Sequence, residues 1–261
     1  MSKKQSKSTK QAGMQRASER AAAIRAEHER KERRTRTLMV SAAVVGVLIL
    51  VVAIVVGVQA SRDTTGKAAT PPNGAVDTYS LPMGPADAPV AVTVYEDPMC
   101  PYCGDFEAVS EQRLKQYAES GDVQVRYHLV SFLDNASSTK YSTRAANAVA
   151  VVLDTAGPEV AVKFHDALYA NQPPENSAGL SDQQLIDLAV QAGADEQAIT
   201  GPIEDLKFEQ WVINSTNEWS KRGFTGTPTV TVDGDEVKFK SADDLIAQIE
   251  KTVDKKLAEQ Q

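Results

Sequence analysis

The chain holds two cysteines, and both fall in one four-residue segment, Cys100-Pro101-Tyr102-Cys103. Thiols at i and i+3 of a helix have Cβ atoms about 5–6 Å apart, close enough to form a disulfide after modest adjustment. Pro101 is a natural first helical residue, so a helix is expected to open at Cys100. A thiolate there would face unpaired N–H groups and the positive end of the helix dipole, and both lower a thiol's pKa. Cys103 comes one turn later on the face of Phe106, so it should be buried. The expectation is an exposed attacking sulfur and a sheltered resolving sulfur, a pair suited to thiol–disulfide exchange. Each unit of pKa depression at the first sulfur favours the reduced form by about 1.4 kcal/mol, which makes the disulfide a stronger oxidant.

Two other readings compete. A zinc half-site needs two further ligands, and the histidines of the C-terminal part, His128 and His165, lie 37 residues apart, which is not a zinc-finger spacing. An inert structural disulfide is the second, although a four-residue ring at a helix start would be a poor staple. No metal and no organic cofactor is expected.

The elements needed to present this pair can be read around it. Pro89–Tyr95 is a β-branched run that reads as a buried strand, followed by a loop at Glu96–Met99. Phe106, Val109, Leu114 and Tyr117 recur at helical spacing and predict a helix from Cys100 to about Ala118. Val123, Val125, Tyr127 and Leu129 alternate as a second strand, which completes a βαβ unit and implies parallel neighbours. Residues 142–222 read as helical almost throughout. A helix is expected at Pro158, a capping box at Ser181 and Gln184, and one longer helix through Ile203, Leu206 and Trp211 to Lys221. Thr229–Val232, an Asp233-Gly234 turn and Glu236–Phe239 predict a hairpin, and a last helix starts near Ser241.

Charge divides the chain into three parts. Residues 1–36 carry 12 Lys/Arg against 4 Asp/Glu; residues 37–58 carry no charge; residues 59–261 carry 16 basic and 31 acidic side chains. From Leu38 to Val58 the chain is almost entirely Val, Ile, Leu, Met and Ala, a helix of about 31 Å that matches a bilayer's hydrocarbon core. Lys31, Arg33, Arg34 and Arg36 precede it, which places the N-terminus in the cytoplasm and the C-terminal part outside. The apolar run exceeds the roughly 7–15 residues of a cleaved signal, so it reads as a retained single-pass signal anchor in the cell membrane. The expected organisation is a basic cytoplasmic tail (1–36), a transmembrane anchor (37–58), a flexible tether (59–76) and one domain (77–261) with a helical insertion at about 142–222. The acidic outer part would repel a polyanion, which argues against nucleic-acid binding.

The segment Tyr95-Glu96-Asp97-Pro98-Met99-Cys100-Pro101-Tyr102-Cys103, a following helical block, and Gly226-Thr227-Pro228-Thr229-Val230 entering a hairpin resemble the DsbA-like branch of the thioredoxin superfamily. The resemblance covers roughly residues 77–258. It implies an α/β thioredoxin fold with an all-helical insertion, here preceded by one transmembrane helix. It also implies that Cys100 is the nucleophile, that Cys103 resolves, and that Pro228 is a cis proline beside them. Thr227's backbone would pair with an extended substrate segment. The implied activity is thiol–disulfide exchange on exported proteins with free thiols, with reoxidation by a membrane partner of the DsbB or vitamin K epoxide reductase-like kind. Reduction or isomerisation by the same pair, and a non-catalytic binding module, are the alternatives.

Two departures bear on tuning. Many members carry a buried acid on the strand before the motif to relay the resolving thiol's proton, but Val92 and Val94 are apolar here; Glu96 and Asp97 are the substitute candidates. Pro101 and Tyr102 resemble the glutaredoxin dipeptide rather than the Pro-His of strong oxidants. Those two classes differ by about 80–110 mV, so a moderately oxidising couple is expected. His128 is expected on an exposed strand face, His165 on a helix face, and His28 in the tail. Trp219 and Phe224 are candidates for a peptide-binding surface near Thr227, whereas Trp211 is expected in the core.

Overall fold

The computed structural model describes residues 67–259. The expected basic tail and apolar span lie outside them. Among the described residues, no helix is long and apolar enough to cross a membrane.

A five-stranded sheet forms the centre, with β1 (Leu81–Met83), β2 (Val90–Glu96), β3 (Val123–Leu129), β4 (Thr229–Val232) and β5 (Asp235–Glu236) in the order β1-β3-β2-β4-β5. β2 and β3 are parallel, with Val92 opposite Val125 and Val94 opposite Tyr127. Between them runs α1 (Pro101–Ser120), the crossover that a parallel pair requires. β1 joins β3 and β4 joins β2, both antiparallel.

Alternation sorts the strands into two faces. Val90, Val92, Val94, Val125, Tyr127, Val230 and Val232 point into the main core. Phe106 and Leu114 of α1 pack into the same core, together with Leu245, Ile249 and Val253 of the last helix, α7 (Ala242–Ala258). Five helices separate β3 from β4: α2 (Tyr141–Ala156), α3 (Pro158–Ala170), α4 (Asp182–Ala192), α5 (Glu196–Glu204) and α6 (Glu209–Lys221). The capping box at Ser181 and Gln184 is present, and Pro158 opens α3 as its position suggested.

Several expectations need correction. The single helix through Ile203 and Trp211 is two, because Leu206 takes a positive φ of 51° that no helix continues through. The strand expected at Glu236–Phe239 is only the pair Asp235–Glu236, although Val237 N–H still bonds Val230 O at 2.8 Å. The short edge strand β1 has too few residues to show a period. The strand before the cysteines runs one residue further than expected, to Glu96.

His128 is not on an exposed face. It is buried, with Nε2 3.2 Å from Ser215 O on α6, because that helix covers the second face of the sheet. Of the expected tether, residues 67–76 are described, and they are held to the domain. Asn214 Nδ2 donates to Lys67 O at 2.7 Å, and Asn73 donates to Asp154 Oδ1 from both its backbone N–H and its Nδ2.

Candidate active site

The geometry at the cysteines begins with Asp97. Its buried carboxylate accepts hydrogen bonds from Met99 N–H at 2.8 Å, Leu133 N–H at 2.8 Å and the Ser142 hydroxyl at 2.6 Å. Its backbone carbonyl accepts from Cys100 N–H at 2.9 Å. These bonds fold residues 97–100 into the turn that delivers Cys100 to the N-cap of α1, where Pro101 begins the helix. Burial dominates the carboxyl's acidity and, with the nearby Cys100 sulfur, raises its pKa to about 7 against the three hydrogen bonds. Asp97 is thus an anchor of the loop.

Gln172, which follows α3, closes the loop from above. Its Nε2 donates to Cys100 O at 2.9 Å and to Pro98 O at 3.1 Å. A Cβ at position 104 would lie 2.2 Å from Gln172 Oε1, so Gly104 is what lets the amide lie against the first turn of α1.

Both cysteines are free thiols. Cys103 is completely buried, as expected, but Cys100 is only 4% exposed, so the exposed attacking sulfur of the sequence reading is in fact covered. The cover is the Thr227-Pro228 loop, whose peptide bond is cis. The Cys100 thiol donates to Thr227 O at 3.3 Å. Hydrogen bonding from the Cys103 thiol is the largest influence on Cys100. Thr227 and the N–H groups of Cys103 and Tyr102 add to it, and together they overcome burial to bring its pKa down to about 6. Burial and the adjacent Cys100 sulfur push Cys103 well above the usual thiol range. At neutral pH the first sulfur is a thiolate and the second a thiol, which is the division of labour that disulfide exchange needs.

Glu96 ends β2 on the core face, two residues beyond Val94, and is completely buried. Its Oε1 pairs with Nε2 of His165, which is also completely buried rather than on an open helix face. Burial alone would depress the imidazole, but Glu96, Asp166 and Glu107 outweigh it and raise His165 to about 10. Glu107, one turn after Cys103 on the buried side of α1, is pushed well up by burial and by Glu96. The ligand atoms of Glu96, Glu107 and His165 lie within 4.8 Å of one another. Glu96 and His165 are hydrogen-bonded to each other within this group. Glu107, Gln172 and Ser142 escaped the sequence reading. Only Glu107 had a visible signal, its four-residue spacing from Cys103 on the buried stripe.

Around the mouth, Tyr102 is 72% exposed and Phe132 is 44% exposed. Trp219 is buried beneath Phe132, with ring centroids 5.2 Å apart, and so is a floor rather than a contact surface. Phe224 stacks on Tyr95, and Trp211 lies in the core with its Nε1 donating to Thr78 O at 2.7 Å.

Known proteins match this arrangement. Residues 77–251 fit the family model described as Thioredoxin. The serine/threonine-protein kinase PknE of Mycobacterium tuberculosis is 35% identical over 122 residues, which are 45% of this chain and 22% of the kinase; the chain thus spans less than a quarter of that relative's length. The reduced disulfide bond oxidoreductase DsbG of M. tuberculosis superposes with a TM-score of 0.58 at 28% identity, covering 69% of this chain and 92% of that one. The oxidised DsbA of the same organism gives 0.57 at 29% identity, covering 67% and 92%. The chain belongs to the thioredoxin family, and its fold is similar to those of the M. tuberculosis disulfide oxidoreductases.

Proposed function

We propose that the protein oxidises thiols of exported proteins, working outside the cytoplasm while anchored by residues 37–58. The observation that carries this is the contrast between the two sulfurs: Cys100 sits at the N-cap of α1 with its pKa brought down to about 6, while Cys103 is completely buried and pushed well above the usual thiol range. A stabilised thiolate favours the reduced protein, so the disulfide form takes electrons readily. A substrate thiolate attacks Cys100 of the Cys100–Cys103 disulfide; that bond breaks, and Cys103 leaves as a thiolate that takes up a proton. The substrate's second thiolate then attacks its own sulfur in the mixed disulfide and releases Cys100 as a thiolate. The substrate loses two electrons, and the pair gains them. Thr227, covering Cys100 in the resting protein, is the backbone a substrate segment would displace and pair with, and Tyr102 and Phe132 would flank it. Reoxidation falls to a membrane partner of the DsbB or vitamin K epoxide reductase-like kind, and the lipid bilayer is the platform both share.

The Pro101-Tyr102 dipeptide supplies no cation to the thiolate, which supports a couple less oxidising than that of Pro-His members. Trapping is the test. Cys103→Ala in cells should accumulate mixed disulfides through Cys100 with exported proteins, and the wild-type pair should rest oxidised. A resting pair found reduced would reverse the direction of electron flow, and a Cys100→Ser/Cys103→Ser chain that retains function would make it a binding module.

A further inference from the structure

Glu96, Glu107 and His165 come from three separate elements, β2, α1 and α3, and all three are buried. The imidazole is oriented as a metal ligand is. Its Nε2 is turned to Glu96 Oε1, while Nδ1 faces Asp166 Oδ1 at 3.6 Å, a few tenths of an ångström from a hydrogen bond. Asp166 is itself fixed, because its Oδ2 accepts from Lys115 Nζ at 2.8 Å. A histidine that ligates through one nitrogen almost always offers the other N–H to a carboxylate, which sets the ring's angle and raises its basicity. Tyr127 and Tyr169 pack on the imidazole with ring centroids 4.1 and 5.0 Å away. Their hydroxyls, together with Glu96 Oε2 and Glu107 Oε1, are buried without a hydrogen-bond partner. Buried polar atoms are seldom left unmatched, and here they belong to one packed group.

We propose that Glu96, Glu107 and His165 bind a divalent transition-metal ion of the Zn²⁺ or Mn²⁺ class, which clasps the helical insertion to β2 and α1. The donor set fits such an ion, since imidazole suits Zn²⁺ and carboxylates suit Mn²⁺. Three donors at about 2.1 Å from a tetrahedral ion stand about 3.4 Å apart. The ligand atoms here lie within 4.8 Å of one another, so side-chain rotation alone brings them to that spacing. The ion takes the place of the hydrogen between Glu96 and His165, and that proton passes to solvent as the site fills.

Charge favours the same assignment. One imidazolium balances only one of two buried carboxylates, whereas a divalent ion held by a neutral imidazole balances both. The two tyrosine hydroxyls are available as donors to carboxylate oxygens that the ion leaves free. Access lies through the open groove of about 500 Å³ between α1, α3 and β1, which Asp166 and Lys115 line. No sulfur is among the ligands, so the site is distinct from the zinc half-site considered at Cys100 and Cys103, and it does not depend on the direction of electron flow.

The test uses the full-length protein, produced in medium supplemented with Zn²⁺ and Mn²⁺ so that the ion is present as the chain folds. It is purified with the Cys100–Cys103 disulfide closed, which removes both thiolates as competing ligands. Elemental analysis after gel filtration should find about one of these ions per chain. The thermal unfolding midpoint should fall when a chelator strips the ion and recover when Zn²⁺ is returned. Glu107→Gln keeps the side chain's shape but removes its charge, and should weaken Zn²⁺ binding at least ~10-fold. Asp166→Asn, at the surface end, should weaken it by a similar factor and carries the test if Glu107→Gln does not fold. Wild-type protein holding less than ~0.1 ion per chain, both as purified and after dialysis against excess Zn²⁺, would overturn the site. So would undiminished Zn²⁺ affinity in Glu107→Gln, or in Asp166→Asn where that variant alone folds, because the ion would then sit elsewhere in the chain.

Discussion

Gln172 reaches across from the end of α3 to hold the carbonyl of Cys100, with Nε2 2.9 Å from that oxygen. The amide therefore couples the helical insertion to the N-cap where the nucleophile sits, and its approach depends on the missing side chain of Gly104.

Gly104→Ala should push the end of Gln172 aside and release both loop carbonyls. The cost is that of two part-buried hydrogen bonds, about 1–3 kcal/mol of stability. Gln172→Ala should cost a similar amount, and the double variant should cost little more than either. Denaturant unfolding of the three chains checks this, since additive losses would mean that the two residues act separately.

Asp97→Asn should destabilise the loop. An aspartate accepts all three of its hydrogen bonds, whereas an asparagine must turn its amide nitrogen towards either Leu133 N–H or the pair formed by Met99 and Ser142. One buried donor left facing another costs about 1–3 kcal/mol. Thermal unfolding of reduced Asp97→Asn should show that loss; an unchanged midpoint would mean that the loop is held by other contacts.

His128 gives the protein an acid sensitivity of known sign. Burial, set against the bond to Ser215, lowers its pKa from 6.5 to about 4. Below pH 6.5 the unfolded chain binds a proton that the folded one refuses, so stability falls as pH drops from 6.5 towards 4. The loss from this residue is on the order of 3 kcal/mol. Asp97 works the other way over part of the same range, so the difference between wild type and His128→Gln isolates the effect. The gap in unfolding free energy should narrow in the variant's favour as pH falls from 7 to 4.

The central geometry was legible because it is local. A proline after Cys100 opens a helix, and the i, i+3 spacing puts Cys103 inside it; the alternation of Val92 and Val94 marks the strand that leads there. What stayed hidden depends on contacts far along the chain. Asp97 meets Ser142 across 45 positions and His165 meets Glu96 across 69. No periodicity announces which polar side chain on a helix will be matched by another inside the core. His128 shows the same limit, since strand alternation puts it on the second face but cannot say that α6 will cover that face. Glu96 was within reach: carrying the β2 alternation one residue further places it inward after Val94. The covering of Cys100 depends on the distant Thr227-Pro228 loop, and spacing within the motif says nothing of that.

The acidity of Cys100 is the quantity from which the rest of the account follows. Iodoacetamide alkylation of the reduced full-length protein, followed by mass between pH 4 and 9, measures it directly, with Cys103→Ala as a control for the site of attack. The account predicts a rate at Cys100 that rises through a midpoint near pH 6. A midpoint near 8.5, the value of an ordinary cysteine, would contradict it.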